Sequence, residues 1–213
     1  MVTEINIYIE GGGDNNQTKT KLRQGFSAFL KELVAIARDK RIGWKLVACG
    51  SRDSAYDDFC TGIKSSPNVF HVLLVDSEEA VKTSSMWSHL KQRDPKWNCP
   101  AGINDDHCFL MEQSMETWLI ADRDALARYY KQGFNEKALP DTQNIETVNK
   151  KLLMKKLIAA TEKSKSKGPY HKTQHGFDIL AMSDPKVIRK SASHCKRLFD
   201  HLSAEMGARI PND

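Results

Sequence analysis

Thr3–Asp14 reads TEINIYIEGGGD, and the fold is decided by this stretch. Ile5, Ile7 and Ile9 alternate with Asn6 and Tyr8, a β-branched period of two that predicts a strand. The strand runs directly into Glu10, three glycines and Asp14. Consecutive glycines reach positive φ and leave the backbone open to close approach, so the turn can bring Glu10 and Asp14 to a shared cation. No Lys-Ser or Lys-Thr follows the glycines, which argues against a P-loop.

A second stretch repeats the pattern. Val69–Glu79 reads VFHVLLVDSEE, an apolar run of the kind buried on both faces of a parallel sheet, ending at Asp76, Ser77 and Glu78. In an open parallel sheet, ligands bind outside the carboxyl ends of the strands. Glu10, Asp76 and Glu78 therefore converge if the two strands are neighbours, and clustered carboxylates call for a hard divalent cation such as Mg²⁺ or Mn²⁺. The simpler alternatives are that Glu10 is an ordinary turn residue and that Asp76 or Ser77 caps the helix that follows.

Composition sets the outer limits. The 213 residues are 40% hydrophobic and 28% charged with a formal net charge of +5, a globular make-up that permits nucleic-acid contact without requiring it. Five scattered cysteines without a Cys-x-x-Cys pair suggest neither a disulfide framework nor a zinc finger. With no signal peptide or long apolar segment in view, a cytoplasmic protein without membrane contact is expected.

Apolar residues spaced by three and four predict one amphipathic helix over Thr18–Lys40, followed by a strand at Trp44–Ala48 and a helix capped by Ser51 or Asp53. The third strand is Val69–Val75, and such spacing implies right-handed crossovers in a parallel sheet. Val81–Asp106 is long for a connector. Its Trp87 and Trp97, beside Lys91, Arg93 and Lys96, either stack on a nucleic-acid strand or anchor the loop to the core. His107–Met111 predicts a fourth strand and Glu112–Ile120 a helix with Glu112 and Glu116 on one face, Glu116 being the better candidate to reach a metal. Asp122 reads as an N-cap.

From Tyr129 onward the periodicity is helical. Asn144–Lys172 holds eight lysines and two glutamates, with Lys150, Lys151, Lys155 and Lys156 clustered on one helix, either a solvated face or a phosphate-contacting surface. Lys163–Gly168, KSKSKG, reads as a flexible hinge leading to His171, Lys172 and His175, where Lys172 could stabilise charge on a phosphate. A last helix is expected from Ser183 through Leu202, with fraying from Ser203. The expected organisation is an α/β domain over residues 1–131, a mostly parallel sheet of about four strands flanked by helices, carrying a helical Lys-rich extension over 132–213.

A strand ending in Glu before glycines, a βαβ crossover and a strand ending in an Asp-x-Asp variant resemble the Toprim fold of topoisomerases, primases and overcoming-lysogenization-defect nucleases. More closely, the chain resembles the small bacterial Toprim-like proteins catalogued as domain of unknown function 4276. IYIEGGGD, VACGSRDSAYDDFC, LLVDSEE, HLKQRD, DDHCFLMEQSMETWLIAD, GFNEKALP and YHKTQH carry that likeness. It implies that Glu10 takes the Toprim acid's role, Asp76 and Glu78 that of the acidic pair, and Glu116 a supporting position; Glu78 departs from the commoner Asp. It also implies a Toprim-like Rossmannoid sheet and action beside an ATPase partner in defence against phage or mobile DNA.

Two functions are then in view. One is a Mg²⁺- or Mn²⁺-dependent nuclease, acting on DNA in preference to RNA, with Glu10, Asp76 and Glu78 on the metal, Asp14 or Glu116 completing its shell and Lys172 or His171 steadying the leaving group. The other is a non-catalytic Toprim-like subunit that binds an ATPase or nucleic acid. A homo-oligomer is compatible with either.

Overall fold

The computed structural model describes residues 2–210. Four strands, β1 (Glu4–Glu10), β2 (Gly43–Gly50), β3 (Phe70–Asp76) and β4 (Cys108–Met111), form one sheet in the order β2-β1-β3-β4. Every pairing is parallel, with Ile7 opposite both Leu46 and Val72, and Leu74 opposite Phe109. The chain passes from β1 outward to β2 and returns past β1 to β3, so the crevice between the tips of β1 and β3 is the point where winding reverses. This is an α/β, Rossmann-like architecture, consistent with the Toprim-like sheet.

The period-two alternation sends side chains to two cores. Ile5, Ile7, Ile9, Val72, Leu74, Phe109 and Met111 share a cluster with residues of α1 (Asn16–Phe29), α2 (Lys31–Asp39), α5 (Met115–Ala121), α8 (Lys172–Met182) and α10 (Ser193–Glu205). Tyr8, Leu73, Val75, Cys108 and Leu110 face α3 (Arg52–Ser65) and α4 (Met86–Arg93), meeting Phe59, Trp87, Leu90 and Trp97. The larger cluster also takes residues from α6 (Arg123–Tyr130), α7 (Lys150–Thr161) and α9 (Pro185–Ser191), so one buried core runs from Ile5 to Met206. Among the described residues all five cysteines are free, and no helix is long and apolar enough to cross a membrane.

Several local expectations are corrected. The single helix over Thr18–Lys40 is two, broken at Leu30, whose ψ of 17° leaves the helical range while Phe26, Phe29, Leu30 and Leu33 stay buried on one stripe. The last helix is also two, interrupted by extended Ala192, and Ser203 is buried inside α10 rather than frayed. The KSKSKG segment is tied down, because Ser164 and Ser166 both donate to the carbonyl of Tyr130. Trp87 and Trp97 are 5% and 2% exposed, so they anchor the Val81–Asp106 segment and offer no stacking platform.

Gly25 is the contact that seats α8 on α1. A Cβ there would lie 2.7 Å from the carbonyl oxygen of Phe177, so the two backbones approach as only glycine allows. α8 begins at Lys172, and this packing sets how far that lysine reaches over the sheet.

Candidate metal centre

Glu10 ends β1 and Asp76 ends the neighbouring β3, as the strand-tip pattern requires. A carboxylate oxygen from each of Glu10, Asp76 and Glu78 lies within 4.8 Å of the others. Glu10 Oε2 accepts the backbone N–H of Asp76 at 3.1 Å, locking the two tips together. Asp76 Oδ1 accepts the N–H of Met115 at 2.9 Å, so this acid caps α5, which follows β4 rather than β3, and keeps Oδ2 for the crevice. Glu78 stands at φ 68° and Gln113 at φ 64°, both in the left-handed region, just past β3 and β4. The two loops are pinned by Ser77 N–H to Met111 O at 3.0 Å and Glu78 N–H to Gln113 O at 3.2 Å, and strain held this way is typical of functional turns.

Three cations close the cluster. Lys150 Nζ, from the first residue of α7, is 2.6 Å from Glu78 Oε1 and 3.7 Å from Asp76 Oδ2. Lys172 Nζ is 3.3 Å from Asp76 Oδ2 and 3.7 Å from Glu116 Oε2. Arg52 lies 3.5 Å from Glu10, donates to the Asp76 carbonyl and rests over the Trp97 ring. Glu116 is fully buried on α5, where its Oε1 accepts the Tyr170 hydroxyl at 2.9 Å and its Oε2 has no hydrogen-bond partner.

The charges are unevenly balanced. Burial, reinforced by Asp76, pushes the Glu10 carboxyl up to about 7 despite Arg52. Burial also raises Asp76 against the pull of Lys172. Burial would raise Glu78 too, but the hydrogen bond and charge of Lys150 carry it below its ordinary value. Lys172 is raised because Asp76 and Glu116 outweigh its own desolvation, so it stays an ammonium.

Not every anticipated residue arrives. Asp14 and His171 are exposed and stand outside the group of three acids. His175 turns to other partners: its Nδ1 is 2.9 Å from the Tyr130 hydroxyl and accepts the His171 N–H. Lys151, Lys155 and Lys156 are exposed along α7, and of the four clustered lysines only Lys150 touches the acids. Glu112 and Glu116 do not share a helical face, because Glu112 precedes α5 and the left-handed Gln113 turns the chain between them.

Glu112 instead forms a second group with Glu146 and His194, again within 4.8 Å. His194 Nε2 is 3.1 Å from Glu112, which also accepts the Val81 N–H. Glu146 accepts the N–H and hydroxyl of Ser193 and the N–H of His194, closing the start of α10. No sequence pattern announced Arg52, Tyr170 or this second group, since each partner is distant along the chain. Both groups have the spacing to hold a metal ion; Glu146 is tied by three donors to the start of α10, whereas Glu10, Asp76 and Glu78, though paired with Arg52, Lys172 and Lys150, form an all-carboxylate set at the strand tips.

Fold and site together define an α/β protein with an acidic candidate metal centre at the switch point of a parallel sheet. The chain belongs to a family described as domain of unknown function (DUF4276), whose model matches residues 9–203. No curated protein and no solved structure matches it.

Proposed function

We propose that this protein is a metal-dependent nuclease that hydrolyses phosphodiester bonds, DNA before RNA, as its resemblance to Toprim proteins implies. The observation that carries the reading is the convergence of Glu10, Asp76 and Glu78 within 4.8 Å between two adjacent strand tips, with Lys172 Nζ 3.3 Å from Asp76 Oδ2. An all-carboxylate donor set suits Mg²⁺ or Mn²⁺, and these three residues would hold it. Such an ion supplies polarisation of the phosphate and a lowered pKa for water.

The chain's own residues do the rest. Glu10 has to shed its proton before it can serve as a ligand, because its carboxyl lies near neutrality. Lys172, steered by Asp76 and Glu116, presents its ammonium where charge on a phosphate oxygen needs balancing. Glu116 and Tyr170 act beneath it as a buried support that holds the lysine's direction. Lys150 sits on Glu78 and has to leave that carboxylate for it to ligate.

Glu10→Gln and Asp76→Asn are expected to abolish metal-dependent cleavage of plasmid DNA while preserving the folded circular-dichroism spectrum. Undiminished cleavage by both variants refutes the reading. One observation favours a second: Lys150, Lys172 and Arg52 already neutralise the acids, so the cluster could be structural in a non-catalytic subunit that binds an ATPase. Calorimetric titration with Mg²⁺ and Mn²⁺ separates the two, since that subunit has no need to bind either ion.

A further inference from the structure

A groove of about 990 Å³ opens beside Glu78 and leads away from the acids. Lys82, after β3, and Gln92 and Arg93, at the end of α4, form one wall; Asn149, Lys150 and Lys151, at the start of α7, form the other. Its two acids are both answered, Glu78 by Lys150 at 2.6 Å and Glu79 by Arg93 at 2.7 Å. Lys82 and Lys151 are exposed and have no ion pair among the described residues, so the groove carries surplus positive charge. A shallower concavity continues the surface along α7, where Lys151 and Lys155 flank Met154 and Ile158. α7 also points its N-terminus, capped by Asn149, toward the groove, and that end of a helix favours anions.

We infer that this groove is the track for a polynucleotide strand, gripped through its phosphates and indifferent to base sequence, with one end of the track at the carboxylate centre. The inference rests on the nuclease reading for its ligand and deepens it by placing the strand. Two features argue for backbone contact over base readout. The two tryptophans that could have stacked bases are buried, and the groove offers flexible ammonium groups and one guanidinium, its one ring, His89, being buried and bonded to the Ser77 carbonyl.

The test is fluorescence anisotropy of a labelled 20-nucleotide DNA in EDTA, where no metal-dependent cleavage occurs, with wild type beside a Lys82→Ala, Arg93→Ala, Lys151→Ala triple variant. Lys64→Ala is the single-lysine control, because exposed Lys64 lies in the last turn of α3, at the far end of that helix from Arg52 and the acids. The triple variant is expected to bind at least tenfold more weakly and to flatten the dependence of log affinity on log salt by roughly two, at about 0.7 per strand phosphate contact. Lys64→Ala should bind as wild type does, and two oligonucleotides of unrelated sequence should bind alike.

Undiminished binding by the triple variant, no binding by wild type, or a tenfold preference between the two sequences overturns the track. Circular dichroism on the same samples shows that the triple variant is folded. Mn²⁺ titration reports the carboxylate centre separately: a centre that binds no metal sinks the nuclease reading while the anisotropy result stands on its own.

Discussion

Glu10→Gln is expected to make the protein more stable at pH 8 while destroying its metal binding. The Glu10 side chain is 18% exposed, and its carboxyl titrates near 7 against an ordinary value of 4.5. The fold therefore opposes ionisation, and at about 1.36 kcal/mol per unit the penalty at pH 8 is about 3 kcal/mol. The sign follows from proton uptake. Below pH 4.5 the carboxyl is protonated in both folded and unfolded chains and no penalty exists; between 4.5 and 7 the folded state holds the extra proton, so wild-type stability falls as pH rises; above 7 the whole penalty is present. Glutamine keeps an oxygen for the Asp76 N–H and carries no charge. Urea denaturation in EDTA from pH 4 to 8.5 is the assay. With a slope near 2 kcal/mol/M, the variant's midpoint at pH 8 should exceed that of wild type by about 1.5 M, the gap closing toward pH 4.5. A variant less stable than wild type at pH 8, or a gap that does not change with pH, would refute the electrostatic account and make Glu10 a structural partner of Arg52.

The same titration predicts that Mg²⁺ or Mn²⁺ binding weakens as pH falls below about 7 and releases protons there, which calorimetry in buffers of different ionisation enthalpy measures. Lys150→Met should tighten metal binding by roughly fivefold, the equivalent of the ~1 kcal/mol that one partly exposed ion pair contributes; weaker binding would mean that Lys150 organises Glu78 instead of competing for it. Gly25→Val should cost about 2 kcal/mol in denaturant titrations, because its side chain meets Phe177, and should displace Lys172 with α8. Asp122→Ala should cost about 3 kcal/mol, since its buried carboxylate both caps α6 through the Ala125 N–H and receives the Asp184 N–H at 2.7 Å.

Local periodicity made much of this molecule legible. The alternation of Ile5, Ile7 and Ile9, and the apolar run of Val72 to Val75, are properties of a few adjacent residues, and they sufficed for the strands, the α/β class and the acids at the strand tips. Asp122 was legible as a cap for the same reason, a side chain bonding three residues ahead. The helix breaks at Leu30 and Ala192 were not, because the apolar stripe continues through both and only the backbone departs.

Strand order is a different kind of fact. Glu10 and Asp76 stand 66 residues apart, and they meet because β3 returned to the far side of β1, a choice made by packing both sheet faces and not by either strand's sequence. Lys172 reaches Asp76 across 96 residues and Lys150 reaches Glu78 across 72, each carried there by the helix that bears it. The parting of Glu112 from Glu116 turns on one left-handed residue, Gln113, which no helical spacing predicts. Sequence alone thus determined which residues are acidic at the ends of strands, because that is written in neighbours. Tertiary structure alone decided which cations face them and which acids share a crevice, because those distances are set by the packing of the whole chain.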